Sequence, residues 1–246
     1  MRLLALTLLS TLTAAELAAA PLRCELSSSG APPQRIELYT SEGCSSCPPA
    51  DHWLSGLLAD DRRMVLAFHV DYWDDLGWPD RFADARHSQR QREIAARARS
   101  RTVYTPEIAV EGREFRGWRQ GLPEPVETAG PTLTARIRID SGVEVELWPA
   151  EGYPAGAKAH LAITEDALYT EVQAGENRGR RLRHDHVVRA FARPGPPSRR
   201  LSLALPADLD HRQARLNLWV EDSRGQTLQA LSAAFGSCES AADGAG

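Results

Sequence analysis

The sequence predicts an α/β domain followed by an all-β domain of the sandwich type. Residues 36–40 are typical of a strand, 49–59 of an amphipathic helix and 64–70 of a strand buried on both faces. This order predicts a βαβ unit with a parallel sheet. From Thr132 onward, short segments alternate apolar and polar residues between Gly, Pro and Asp turns. Such alternation indicates an antiparallel β-sandwich of seven or eight strands.

The chain divides into three predicted parts. Residues 1–20 resemble an export signal, because Arg2 precedes an apolar run over 3–12 that is too short to span a bilayer. The α/β domain is expected over 33–125 and the β-sandwich over 131–236. We therefore expect a periplasmic or secreted protein with no stable membrane insertion after signal cleavage.

Composition excludes one class of partner. The 246 residues are 42% hydrophobic and 25% charged, as in an ordinary globular protein. The net charge of −4 and the pI near 6.0 give no electrostatic footprint for nucleic acid. The Arg-rich segment 81–100 is expected to be a helix whose charges lie in solvent.

Four cysteines allow two disulfides, with three pairings in principle. Cys44 and Cys47 are close enough in sequence to pair locally, which leaves Cys24 and Cys238 near opposite ends of the mature chain. A disulfide between these two would close nearly the whole polypeptide, a constraint of about 5 kcal/mol on chain-entropy grounds. The alternative is that Cys24 and Cys238 are free or form intermolecular bonds.

The pair Cys44 and Cys47 lies where the first strand gives way to a helix that begins at Pro48. Free amide groups and the helix dipole stabilise a thiolate at such a position. We assign Cys44 as the thiol that attacks a disulfide and Cys47 as the thiol that resolves the mixed disulfide. No second ligand pair follows at zinc-finger spacing, so we expect no metal site. A purely structural disulfide remains the simpler alternative.

Other candidate residues follow the second strand of the βαβ unit. Tyr72 and Trp73 belong to a loop rich in aromatic and acidic residues, and they form either the wall of a substrate groove or a cap on the sheet end. His69, Asp71 and Glu42 are candidate proton acceptors. In an apolar strand, His69 is also compatible with an ordinary hydrogen-bonded core histidine.

A further candidate is the Thr105-Pro106 pair, which opens a strand. A cis bond before Pro106 would leave the backbone of Thr105 free to pair with an incoming peptide. Together with the Cys44-Ser-Ser-Cys47 loop, this pair resembles the thioredoxin and glutaredoxin superfamily. More narrowly, the chain is similar to a secreted, thioredoxin-like bacterial family with no assigned function. The stretches that carry this resemblance are 37–51, 68–74 with Gly77-Trp78, 103–106, and 175–180 with 186–189.

The resemblance implies a thioredoxin-like fold for the first domain, with a cis-proline at Pro106 facing the redox pair. Two departures limit it: Leu38 occupies the position of the buried acid of thioredoxins, and Gly43 replaces a bulky aromatic residue. We also expect Glu176, Arg180 or His186 of the second domain to contact the first.

The leading functional hypothesis is an exported thiol–disulfide oxidoreductase that uses Cys44, Cys47 and Pro106 and needs no cofactor. Its partner would be a thiol or disulfide of another exported protein. The first alternative is a carrier of a soft metal such as copper, held by Cys44, Cys47 and His69. The second is a non-catalytic interaction protein whose C-x-x-C disulfide is structural.

Overall fold

The computed structural model describes residues 21–60, 62–149, 152–192 and 200–240, and the predicted export segment 1–20 lies outside them. The described residues form two α-helices, α1 (Pro48–Ser55) and α2 (Ala85–Arg97), and fifteen strands. None of the helices in these ranges is long and apolar enough to cross a membrane. The strands are β1 (Leu22–Gly30), β2 (Gln34–Thr40), β3 (Arg63–His69), β4 (Glu107–Val110), β5 (Arg113–Glu114), β6 (Gly130–Ile139), β7 (Gly142–Pro149), β8 (Lys158–Glu165), β9 (Leu168–Glu171), β10 (Arg181–His184), β11 (Val187–Ala192), β12 (Arg200–Ala204), β13 (Ala214–Glu221), β14 (Thr227–Ala234) and β15 (Glu239–Ser240).

The strands form three sheets. The largest has eight strands in the order β14-β13-β8-β11-β3-β2-β4-β5. A five-stranded sheet has the order β12-β7-β6-β1-β15, and β9 and β10 form a separate two-stranded sheet. The eight-stranded sheet joins the two halves of the sequence, because β11 pairs in parallel with β3 through Val187 and Ala67.

The predicted fold class, an α/β thioredoxin-like domain followed by an all-β sandwich-like domain, is wrong. The protein is β-rich throughout, and strands from both predicted ranges, 33–125 and 131–236, share one sheet. The physical reason lies in β3, which has two hydrogen-bonding edges: β2 satisfies one and β11 the other. Periodicity in a sequence reports which face of a strand is buried, and it carries no information about the strand's edge neighbours.

The βαβ unit itself forms as predicted. β2 and β3 are parallel, with Ile36 opposite Val65, and α1 connects them. Both strands are buried on both faces, as the continuous apolar run of β3 indicates for that strand. Prolines occupy the first turn of α1, where an N–H has no helical partner to lose, and Leu54 packs on the sheet.

The five-stranded sheet packs on the second-half strands of the large sheet. The alternating residues of β6 and β7 point into a common core with those of β8 and β13, as in Ile137, Val145, Leu161 and Leu218. β1 joins this sheet beside β6, and β15 pairs with the other edge of β1. A disulfide joins Cys24 of β1 to Cys238, so the two ends of the described chain lie together.

Four buried charged side chains connect the first half to β13. Glu37 contacts Arg35 at 2.8 Å and Arg90 at 2.5 Å, and Glu221 contacts the same two arginines at 3.2 and 3.0 Å. Burial raises the pKa of Glu37, but the attraction of Arg90 and Arg35 outweighs it and holds the pKa below its ordinary value. Arg90 belongs to the Arg-rich helix whose charges we expected in solvent, so that interpretation misses its buried face.

Candidate functional site

The Cys44–Cys47 disulfide forms the corner between β2 and α1. The two Cα atoms are 5.4 Å apart, and Cys47 is the residue that caps the start of the helix. The backbone N–H of Ala50 donates to the Cys47 carbonyl at 2.8 Å. Both cysteines have 0% exposure. An attacking thiolate must approach a sulfur atom directly, so this disulfide is shielded in the folded state.

A loop between β9 and β10 covers the disulfide corner. The Asn177 side chain is buried, and its Nδ2 donates to the carbonyls of Glu42, at 2.8 Å, and Cys44, at 2.9 Å. Next to it, Glu176 accepts a hydrogen bond from the backbone N–H of Ser45 at 2.9 Å, which is the expected contact between the two halves. This loop therefore fixes the backbone of the C-x-x-C turn through side chains about 130 residues away in sequence.

Arg180 and His186, which we also expected near the first half, differ in what they contact. Arg180 donates to Asn177 Oδ1 at 3.0 Å and so holds the covering loop itself. His186 Nε2 lies 3.1 Å from the carbonyl of Leu57, just after α1.

A buried ionisable cluster adjoins the corner. His69 Nδ1 lies 2.6 Å from Asp80 Oδ2, which also accepts from the backbone N–H of Glu42 at 2.8 Å. The Glu42 carboxylate accepts from Trp78 Nε1 at 2.7 Å and lies 3.4 Å from His184 Nε2. Glu42 and His69, both proposed as proton acceptors, therefore meet in one network.

The pKa directions in this network follow from its contacts. Burial lowers the pKa of His69, but the carboxylate of Asp80 outweighs it and raises the pKa above the ordinary value. Burial raises the pKa of Asp80, and His69 outweighs it, so that pKa is lowered. The two therefore form a buried ion pair. Asp51, one turn into α1, has a raised pKa because burial dominates there.

The other predicted residues of the aromatic and acidic loop contact either α2 or the C-x-x-C turn. Asp71 exchanges hydrogen bonds with Ser88, so its carboxylate is engaged. Tyr72 donates to Gln91 Oε1 at 3.2 Å. Trp73 lies against the turn, because a Cβ on Gly43 would be 3.4 Å from the Trp73 Cβ.

The Thr105-Pro106 bond is cis, and the carboxylate of Glu107 follows it. Burial raises the pKa of Glu107 to about 7, and Gln91 donates to it at 2.7 Å. The catalytic roles of Cys44, Cys47 and Pro106, and the groove role of Thr105, stay predictions.

Sequence reasoning placed none of Asp80, Asn177 and His184 in this site. Asp80 lies in the aromatic and acidic loop, but nothing in its spacing distinguishes it from the neighbouring acids. Asn177 belongs to a turn-rich stretch that resemblance singled out without giving it a role. Among the described residues, no group of three or more His, Cys, Asp or Glu side chains is placed to hold a metal ion.

A groove of about 360 Å³ lies between α1 and β10. Pro48 and Asp51 line one side and Arg181 and Arg183 the other. β10 is an edge strand, since β9 is its only hydrogen-bonded neighbour among the described strands. Because Val172 donates to the Arg180 carbonyl, the alternation of an antiparallel ladder directs the backbone groups of Arg181 and Arg183 to the free edge.

Residues 36–221 match the family described as "Protein of unknown function (DUF1223)". The chain belongs to this family. The expectation of a family without an assigned function is thus confirmed, while the match does not extend to the thioredoxin superfamily. No curated protein matches this DUF1223 chain.

Two solved structures share the fold of this DUF1223 protein. One is the protein AGR_C_4864 from Agrobacterium tumefaciens, with 23% identity, 82% of this chain and 94% of that chain covered, and a TM-score of 0.54. The other is HBP35 of Porphyromonas gingivalis, with 12% identity, 87% and 78% coverage, and a TM-score of 0.56. At these identities the likeness concerns the fold alone.

Proposed function

We propose that this DUF1223 member is an exported, non-catalytic interaction protein and that its Cys44–Cys47 disulfide is structural. The observation that carries the proposal is the complete burial of both cysteines beneath the loop that Asn177 anchors. A disulfide that exchanges with partner proteins needs an accessible sulfur atom, whereas a structural one is protected. The two disulfides also fit export to the periplasm or beyond.

The groove between α1 and β10 is the surface we assign to the interaction. Its free strand edge offers unpaired backbone groups, which is the requirement for adding an extended segment of another polypeptide. The disulfide supports this surface because it fixes Cys47, and the next residue, Pro48, is part of the groove wall. The partner would be an extended segment of another exported protein.

The reduction potential of the Cys44–Cys47 pair tests the structural role. Thiol trapping of the mature protein across a dithiol series, in a Cys24→Ser/Cys238→Ser background, isolates this pair. We expect the pair to stay oxidised below about −300 mV, as structural disulfides do. A midpoint between about −270 and −120 mV, the span of exchange catalysts, would refute the structural role.

The groove is tested with a displayed library of random peptides as the probe. Peptides that bind should lose affinity for Arg183→Pro, which removes a backbone N–H from the free edge. Arg183→Gln is the matched control, since it changes the side chain and keeps the N–H. If the folded Arg183→Pro variant binds these peptides as well as the wild type does, the free edge of β10 is not the binding surface.

One observation favours thiol–disulfide exchange as a second candidate. A buried acid with a raised pKa, Asp51, lies one turn after the cysteines, and its backbone N–H donates to the Cys47 carbonyl at 3.1 Å. A raised pKa makes an acid in such a position better suited to proton transfer to a leaving thiolate. Exchange would require the loop around Asn177 to open first, and the potential measurement distinguishes the two candidates.

A further inference from the structure

A cavity of about 600 Å³ lies on the far side of the large sheet from the groove residues described above, at the end of α2. Its walls come from three separate segments: the last turn of α2, the β4–β5 turn and the β13–β14 turn. Each segment contributes one arginine, namely Arg97, Arg113 and Arg224. Among the described residues that line the cavity, Glu114 is the only acid. Three cations thus face one space in a chain whose net charge is −4.

The single acid does not neutralise these arginines. The Glu114 carboxylate accepts from Arg116 Nε at 2.5 Å and also from the Tyr104 hydroxyl. The hydrogen bond from Arg116 lowers the pKa of Glu114, so it remains a carboxylate paired with a cation outside the lining. Within the part of the chain that the structure describes, the side chains of Arg113 and Arg224 have no acidic partner.

Arg97 is also short of negative charge. Its nearest carboxylate is that of Glu221, 3.8 Å from Nη1, and Glu221 is already closer to Arg35 and Arg90. Arg35, Arg90 and Arg97 share two carboxylates, those of Glu37 and Glu221. This ion-pair network therefore carries one uncompensated positive charge.

The neighbouring histidine does not alter the charge of this network. His160 lies 3.4 Å from Glu221, and burial lowers its pKa to about 4, which keeps it neutral at pH 7.

The Arg97 guanidinium is held in place by backbone packing. It lies against Gly225, where an added Cβ would be 2.8 Å from the Arg97 Cζ. Its Nε and Nη2 atoms are buried with no hydrogen-bond acceptor among the described residues. An arginine at the end of a helix also complements the helix dipole, but that role accounts for neither Arg113, which begins β5, nor Arg224, which lies in the β13–β14 turn.

We propose that this cavity binds a phosphate group. Guanidinium groups bind phosphate oxygens with paired hydrogen bonds, and three of them suit a doubly charged group better than a carboxylate. The cavity is larger than one phosphate, so the group would be carried by a larger molecule, either a soluble phosphoester or a lipid. This site is independent of the disulfide corner and of the proposed interaction groove.

Isothermal titration of the mature protein with pyrophosphate tests the site. We expect saturable binding that weakens about tenfold or more in Arg113→Gln/Arg224→Gln, because each lost guanidinium contact removes a charge-assisted hydrogen bond. The control is Arg99→Gln/Arg101→Gln, which makes the same change in net charge at the exposed end of α2 outside the lining. The control variant should bind as the wild type does.

Sedimentation with vesicles identifies the source of the phosphate. Vesicles of phosphatidic acid in phosphatidylcholine that retain the wild type and release Arg113→Gln/Arg224→Gln would assign a lipid headgroup. Pyrophosphate binding without vesicle binding would assign a soluble phosphoester. No binding to either probe, or equal loss in the lining and control variants, would overturn the site.

Discussion

Asn177 should determine how firmly the disulfide corner is closed. Asn177→Ala removes three hydrogen bonds of a fully buried side chain. Two are donated to backbone carbonyls, and the third is accepted from Arg180, an exposed residue that can bind water instead. The Glu42 carbonyl loses the side-chain donor that it has in the structure, whereas the Cys44 carbonyl keeps the N–H of Cys47 at 3.2 Å. One orphaned buried acceptor costs about 1–3 kcal/mol and one lost bond about 1 kcal/mol, so we expect a loss of about 2–4 kcal/mol.

Two assays measure this loss. Urea denaturation of the variant should show a lower midpoint with an unchanged slope. If reduction of the Cys44–Cys47 disulfide by dithiothreitol requires local opening of the loop, the same free energy should speed the reduction by about 30- to 900-fold.

The matched control is Asn177→Asp. It keeps the acceptor for Arg180 but places a carboxylate beside the two carbonyl oxygens, so it should destabilise at least as much. If Asn177→Ala unfolds at the wild-type midpoint and its disulfide is reduced at the wild-type rate, the loop does not hold the corner closed.

Three other changes test separate parts of the structure. Cys24→Ser/Cys238→Ser should lower stability by up to about 5 kcal/mol in urea denaturation, because the disulfide closes nearly the whole chain; a loss below 1 kcal/mol would contradict this. Asp80→Asn should be most destabilising between about pH 4 and 6.5. The raised pKa of His69 contributes stability that is lost as the pH rises through that pKa. The lowered pKa of Asp80 contributes stability that is lost as the pH falls through that pKa. A pH-independent difference from the wild type would exclude the ion pair. Glu107→Gln should gain stability relative to the wild type as pH rises from 5 to 8, because a folded pKa of about 7 makes ionisation of Glu107 unfavourable to folding; equal pH profiles in thermal unfolding would contradict this.

The sequence predicts local structure in this protein better than it predicts which strands and side chains become neighbours in space. The βαβ unit and the position of Cys44 and Cys47 at its corner follow from apolar runs and from prolines in a first helical turn. The alternating strands of the second half also form. These features depend on residues close together in sequence, where periodicity and turn chemistry act directly.

The long-range arrangement is what the sequence leaves open. The insertion of β11 beside β3 decides the fold class, yet the residues that pair there are 120 positions apart. The donation from Asn177 to the Cys44 carbonyl likewise depends on a contact across 133 positions. An amide side chain in a turn-rich loop has the same appearance whether it faces solvent or a buried carbonyl, so only the three-dimensional structure identifies it.

The disulfide between Cys24 and Cys238 has a mechanical consequence. Because it bridges the first strand and the end of the described chain, the polypeptide between them is a covalent ring. A pulling force applied at the two termini first meets the short pairing of β1 with β15, then passes through the sulfur–sulfur bond and bypasses the strands within the ring. Under tension the ring cannot be drawn out into an extended thread until that bond is reduced. If the chain were drawn through a pore from one end, two segments of the closed ring would therefore have to pass side by side.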